Sequence, residues 1–81
     1  MNGQREEIAA NQVLSAAEGL EIRKRITAAA PAGVQQWRWM GNYGSVYDPV
    51  NVANVPPPIG PGGLIININF NNGLVATWMF Y

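Results

Sequence analysis

No charged side chain follows Asp48, so residues 49–81 must fold and remain soluble without charge of their own. Small soluble monomers usually distribute charge over their surface and protect sheet edges with Lys, Glu or Pro, because neutral surfaces and bare edges associate. One interpretation is a polar but uncharged surface, rich in Asn and Gly. We favour the other, in which subunits of an assembly cover this half of the chain.

The size of the chain also favours association. Its 81 residues allow one domain, and a core of that size contributes little net stability. It has no cysteine and no histidine, which excludes disulfides and makes zinc, haem and iron–sulfur sites implausible. Good packing or oligomerisation must therefore stabilise it.

An N-terminal segment, residues 1–30, is predicted to be helical over residues 4–29. Ser15-Ala16-Ala17-Glu18 is a capping-box sequence, so the helix can instead be broken near Ser15. Pro31 ends the segment. The apolar residues at helical spacing are Ala10, Val13, Leu14, Ala17 and Leu20.

Residues 31–48 are rich in aromatic side chains, and residues 49–63 are rich in Pro and Gly. If the first segment is an extended strand, one face carries Trp37, Trp39, Tyr43 and Tyr47, unless a turn at Gly41 or Gly44 divides the row. Three consecutive prolines in the second segment predict an extended arm that reaches a neighbouring subunit.

Residues 64–81 predict a β-hairpin. A three-residue loop, Asn71-Asn72-Gly73 with Gly73 left-handed, keeps the faces more consistent than a two-residue loop does. The hairpin needs further strands from the same or a neighbouring chain. This register pairs Leu64 with Phe80, Ile66 with Trp78, Ile68 with Ala76 and Phe70 with Leu74.

Catalysis is not expected, because the chain lacks the usual general base and thiol nucleophile and has no phosphate-binding loop. We therefore predict no catalytic residue, no cofactor and no metal. Arg23-Lys24-Arg25 and Trp37-Arg38-Trp39 are weak support for nucleic-acid binding, since the net charge is zero.

Two other functions remain as alternatives. Trp37, Trp39, Tyr43 and Tyr47 can stack a glycan in a small ligand-binding module. The uncharged hairpin can insert into a membrane as part of an oligomer, which we consider less consistent with the rest of the chain.

We predict an α+β, non-enzymatic structural subunit that associates with itself and with a larger structural protein. In composition, the charged N-terminal helix followed by an uncharged Asn-, Gly- and Pro-rich part resembles small structural components of bacteriophage particles, of the decoration, tail or fibre-anchoring type. The start of the sequence has no basic segment followed by an apolar run, which predicts synthesis in the cytoplasm without a signal peptide. The resemblance implies a final location in a virion or another large particle. The predicted interface residues are Trp37, Trp39, Tyr43, Tyr47, Ile66, Ile68, Phe70, Trp78, Phe80 and Tyr81.

Overall fold

In the residues that the structure describes, two helices and a four-stranded mixed sheet make an α+β protein, which confirms the predicted class. The computed structural model describes residues 8–29 and 35–81. The strand order is β1-β2-β4-β3, with β1 parallel to β2 and the other neighbours antiparallel. The elements are β1 (Val13–Leu14), α1 (Ala16–Ala29), β2 (Trp37–Tyr43), α2 (Tyr47–Asn54), β3 (Leu64–Ile68) and β4 (Val75–Phe80).

Helix α1 begins at Ala16, directly after Ser15, the first residue of the predicted capping box. The Ser15 amide donates to Glu18 Oε1 at 2.8 Å, and the Glu18 amide donates to Ser15 Oγ at 3.1 Å. These reciprocal bonds satisfy amides that the first helical turn leaves without partners. A helix continuous from residue 4 is wrong, because Val13 and Leu14 pair with β2 instead. The predicted part before residue 8 lies outside the described residues.

The predicted extended arm is wrong over residues 49–54, which belong to α2. Pro49 lies in the first turn of that helix, where its missing amide hydrogen costs no hydrogen bond. The following residues turn back on their own chain, since the Ile59 amide donates to the carbonyl of Ala53 at 2.9 Å.

The hairpin forms, but its predicted register is wrong by one residue. Leu64 lies opposite Met79 rather than Phe80. The Asn69 amide donates to the Leu74 carbonyl at 2.8 Å and closes a loop over residues 70–73, one residue longer than predicted. Gly73 has the predicted left-handed backbone, with φ +74°. A one-residue slip exchanges the two faces of a strand. The further strand that the hairpin needs is β2 of the same chain, which pairs with β4.

Both helices contribute to a core on one face of the sheet. One buried cluster joins Met40 and Met79 of the sheet to Val52 of α2. In α1, a Cβ added at Gly19 would lie 2.3 Å from Tyr43 Oη, so a glycine is needed for the helix to approach the strand this closely. Among the described residues, neither helix packs against the opposite face.

Arg23 of α1 is a buried charged residue, only 5% exposed, and it joins the two helices. Its Nη1 donates to the carbonyls of Val52 at 2.7 Å and Val55 at 2.8 Å, and its Nη2 donates to the carbonyl of Pro57. The first two carbonyls lie at the C-terminal end of α2, where a helix leaves acceptors unsatisfied and where a positive charge is favourable. Arg23 therefore fixes both α2 and the segment after it.

We expect Arg23→Met to lower the free energy of unfolding by about 2–4 kcal/mol, because it leaves buried carbonyls without a donor. Lys24→Met is the matched control, since Lys24 is the next residue of the same helix and is exposed. Urea unfolding followed by circular dichroism measures both variants. Equal midpoints for the two would contradict this role of Arg23.

Candidate functional site

The sheet face opposite the helices carries four aromatic side chains, which we call the aromatic face: Trp37, Trp39, Trp78 and Phe80. They come from β2 and β4, the two central strands. Trp37 is 48% exposed and Phe80 is 37% exposed, whereas Trp39 and Trp78 are partly buried. The strand residues on this face carry no charge.

The four side chains form two pairs across the strands. The ring centroids of Trp37 and Phe80 are 5.3 Å apart at 57°, and those of Trp39 and Trp78 are 5.0 Å apart at 55°. Gln36 and Tyr81 exchange both backbone hydrogen bonds, so the aromatic pairs occupy the alternate, non-hydrogen-bonded positions where side chains approach most closely. Tilted pairs at these distances are favourable for aromatic rings.

A β-bulge in β2 decides which aromatic residues face outward. Trp39 lies opposite Trp78 and Asn42 lies opposite Ala76, so Met40 and Gly41 together oppose one residue of β4. Gly41 has φ +94°, a conformation that favours glycine. The inserted residue reverses the alternation, and Tyr43 therefore points into the core, where it is fully buried.

Tyr81 lies on the core side of the sheet, between two arginines. The guanidinium carbons of Arg38 and Arg23 lie 5.0 Å and 5.7 Å from the centre of its ring, and its hydroxyl donates to Met40 Sδ at 3.3 Å. Burial raises the pKa of Tyr81 to about 12, although both arginines act in the opposite direction. Burial also lowers the pKa of Arg23 from its ordinary value.

The structure brings four of the ten predicted interface residues together, and they form the aromatic face. The single row of Trp37, Trp39, Tyr43 and Tyr47 is not formed, because the bulge turns Tyr43 inward and Tyr47 begins α2. Tyr47 is exposed, as is Phe70 in the hairpin loop. The remaining three predicted residues lie on the core side of the sheet: Ile66 and Tyr81, both partly buried, and Ile68, which is 42% exposed at the end of β3.

Two exposed residues of the same face were not among the predicted interface residues. Ile65 pairs with Trp78 and is 48% exposed, and Val13 pairs with Asn42 and is 51% exposed. The observed hairpin register places Ile65 beside the tryptophans, whereas the predicted register placed it on the other side. The position of Ile65 on this face could therefore have been predicted only from the correct length of the hairpin loop.

A groove of about 250 Å³ borders one end of the aromatic face. Trp37, Phe80 and Gln35 line it together with residues 60–63. Among the described residues, no group of His, Cys, Asp or Glu could hold a metal ion. Neither helix of the described ranges is long and apolar enough to cross a membrane. The arrangement offers apolar contact and hydrogen bonding.

Comparison with known proteins adds no relative: the chain matches no family model, no curated protein and no solved structure.

Burial of Tyr43 and Tyr81 predicts a loss of stability at high pH. Burial raises the pKa of each phenol to about 12, whereas an unfolded tyrosine ionises at about pH 10. Between these values the unfolded chain releases protons that the folded chain keeps. The free energy of unfolding therefore does not depend on the ionisation of these groups below about pH 10. It falls as the pH rises from about 10 to about 12.

Titration of phenolate absorbance in the wild type, Tyr43→Phe and Tyr81→Phe, together with urea midpoints, measures this effect. Each substitution should remove one of the two late transitions. Ionisation of Tyr81 at the pH of an unfolded tyrosine would show that its ring is not buried within its own chain.

Proposed function

We propose that this protein is a non-enzymatic structural subunit of a homo-oligomeric assembly, and that the aromatic face is the surface through which copies associate. The observation that carries the proposal is a sheet with helices on one side and four aromatic side chains on the other. Tryptophan and other aromatic residues are enriched in the buried centres of interfaces, where they provide much of the binding energy.

The distribution of charge supports the same function. Two of the four aromatic side chains belong to β4, which carries no charge. The other two belong to β2, whose one charged residue, Arg38, lies against Tyr81 on the core side of the sheet. An uncharged apolar surface has no electrostatic cost of desolvation when a second subunit covers it. Apolar contact is also non-directional, so the same face is suited to a larger structural protein.

A bacteriophage particle is the assembly that we propose, as a decoration, tail or fibre-anchoring component. The support is the resemblance in composition described above, together with the exposed aromatic face. A virion also offers many neighbouring copies, which favours a subunit whose own core is small.

Light scattering across a concentration series tests self-association. We expect the wild type to form an oligomer and Phe80→Lys to reduce its mass, because the lysine places a charge on the aromatic face. Phe70→Lys is the matched control, since Phe70 is 93% exposed in the hairpin loop, away from that face. Circular dichroism verifies that both variants are folded.

A wild-type chain that remains near 8.8 kDa at high concentration would contradict the proposal. Equal loss of mass in both lysine variants would also contradict it, because the effect would then not depend on the aromatic face.

A second candidate function is a glycan-binding module, favoured by the groove beside Trp37 and Phe80. Aromatic rings stack on the apolar faces of sugars, and the Gln35 amide can provide hydrogen bonds. For this function, Trp37→Ala should abolish retention on a glycan array while the solution mass stays unchanged. A loss of oligomeric mass without any glycan binding supports the structural role instead.

A further inference from the structure

Strand β3 forms a free edge of the sheet, and the described residues place no further strand beside it. Its sequence, Leu-Ile-Ile-Asn-Ile, has no charge, and it pairs with β4 in an unbroken register. Natural proteins usually protect such an edge with a charge, a proline or a bulge, because its backbone groups are ready to pair with another strand. The opposite edge, β1, has only two residues.

The pattern of backbone hydrogen bonds between β3 and β4 shows which amides and carbonyls of β3 do not bond to β4. The Asn69 amide donates to Leu74, and the Phe80 amide donates to Gly63, each at 2.8 Å. Hydrogen-bonded pairs alternate along antiparallel strands, so the odd-numbered residues of β3 bond to β4. The amides and carbonyls of Leu64, Ile66 and Ile68 therefore point away from the sheet.

No hydrogen bond of the described residues outside the sheet ladders uses these outward groups. Their spacing is self-complementary. If a two-fold axis passes through Ile66, then Leu64 of one copy lies opposite Ile68 of the other, and Ile66 lies opposite Ile66. Every outward amide then meets an outward carbonyl, which gives about six hydrogen bonds.

We propose that a second copy of this chain pairs antiparallel with β3 about this axis, joining two four-stranded sheets into one. The proposal rests on the proposed function, because it names a second contact in the same homo-oligomeric assembly. The occupant is a second copy because the outward groups of β3 complement themselves about this axis, and because the strand carries no charge that would repel an identical strand. If the two strands were shifted by one residue, groups that already bond to β4 would lie opposite the outward groups of the other copy. A shift of two residues would leave the outward groups at the ends of β3 without partners.

The side chains at this edge fit the same pairing. Ile65 and Ile68 are half exposed at 48% and 42%, and the second copy would reduce the exposure of both. Ile65 would lie opposite Asn67 of the second copy on the face that carries the tryptophans. The joined sheet would therefore carry the aromatic faces of both subunits on the same side, with Ile65 of each copy at the junction.

Cysteine cross-linking tests the register, and the chain is suited to it because it contains no native cysteine. Ile65→Cys and Asn67→Cys are prepared separately, one of them labelled with ¹⁵N, and are then mixed under mild oxidation. These residues would form a non-hydrogen-bonded pair with Cα atoms about 4.5 Å apart, within the range of a disulfide. Residues that are diagonal across the strands, such as Ile65 with its own copy, are about 7–8 Å apart.

We expect the mixed sample to form the disulfide between the two different variants several-fold more than either variant forms with itself. Phe70→Cys gives the level of random collision, because it lies at the exposed loop. Mass spectrometry of the non-reduced dimers identifies the link by the label.

The outcomes separate this proposal from the proposed function. An oligomer in light scattering without selective linkage would overturn pairing at β3 and leave association through the aromatic face intact. A monomeric wild type would overturn both. Selective linkage that persists in Phe80→Lys would show that the edge pairs independently of the aromatic face.

Discussion

The left-handed backbone of Gly41 is the constraint on which the arrangement of the sheet depends. A Cβ at this position would lie 2.7 Å from Leu14 Cδ1, and the φ of +94° is strained for any other residue. The resulting bulge turns Tyr43 into the core, where its hydroxyl donates to the Met40 carbonyl at 2.7 Å. The ring of Tyr43 then meets Gly19, so the bulge also sets how closely α1 approaches the sheet.

Because of this bulge, β2 contributes aromatic side chains to both faces of the sheet, and within residues 8–29 and 35–81 both helices pack on one of these faces. Tyr43 helps to fill the small core, while Trp37 and Trp39 lie on the other side. Apolar area on that side stabilises the molecule only to the extent that it is removed from water. Arg23 compensates in part for the small core, since its hydrogen bonds attach α2 to α1 without further burial of apolar side chains.

The sequence was sufficient for the class of the fold and for the start of α1, because the capping box is a local signal that depends only on Ser15 and Glu18. It was insufficient for the hairpin register. The prediction sought one apolar and one mixed face, and the observed register also has them: Leu64 and Ile66 face the core, while the other face combines Ile65 and Trp78 with Asn67. Because both registers give one apolar and one mixed face, hydrophobic alternation does not select between them.

Helix α2 was missed for a related reason. Its eight residues include Pro49 and two asparagines, a composition that is typical of a loop. Long-range contacts decide the outcome, since Val52 and Ala53 are buried in the core and Arg23 binds the carbonyls at the end of the helix. The aromatic face could not be derived either, because it requires the pairing of β2 with β4, a long-range contact that no local pattern specifies.

The aromatic face and the edge of β3 have complementary physical properties. Burial of tryptophan and phenylalanine provides free energy but tolerates sliding, because apolar contact has little directionality. Backbone pairing along a short edge provides little net free energy, since each hydrogen bond replaces one to water, but it specifies direction and register. A subunit of this size that has only the first surface tends towards disordered association, and one that has only the second associates weakly. In the assembly that we propose, the two surfaces together would give association a defined geometry.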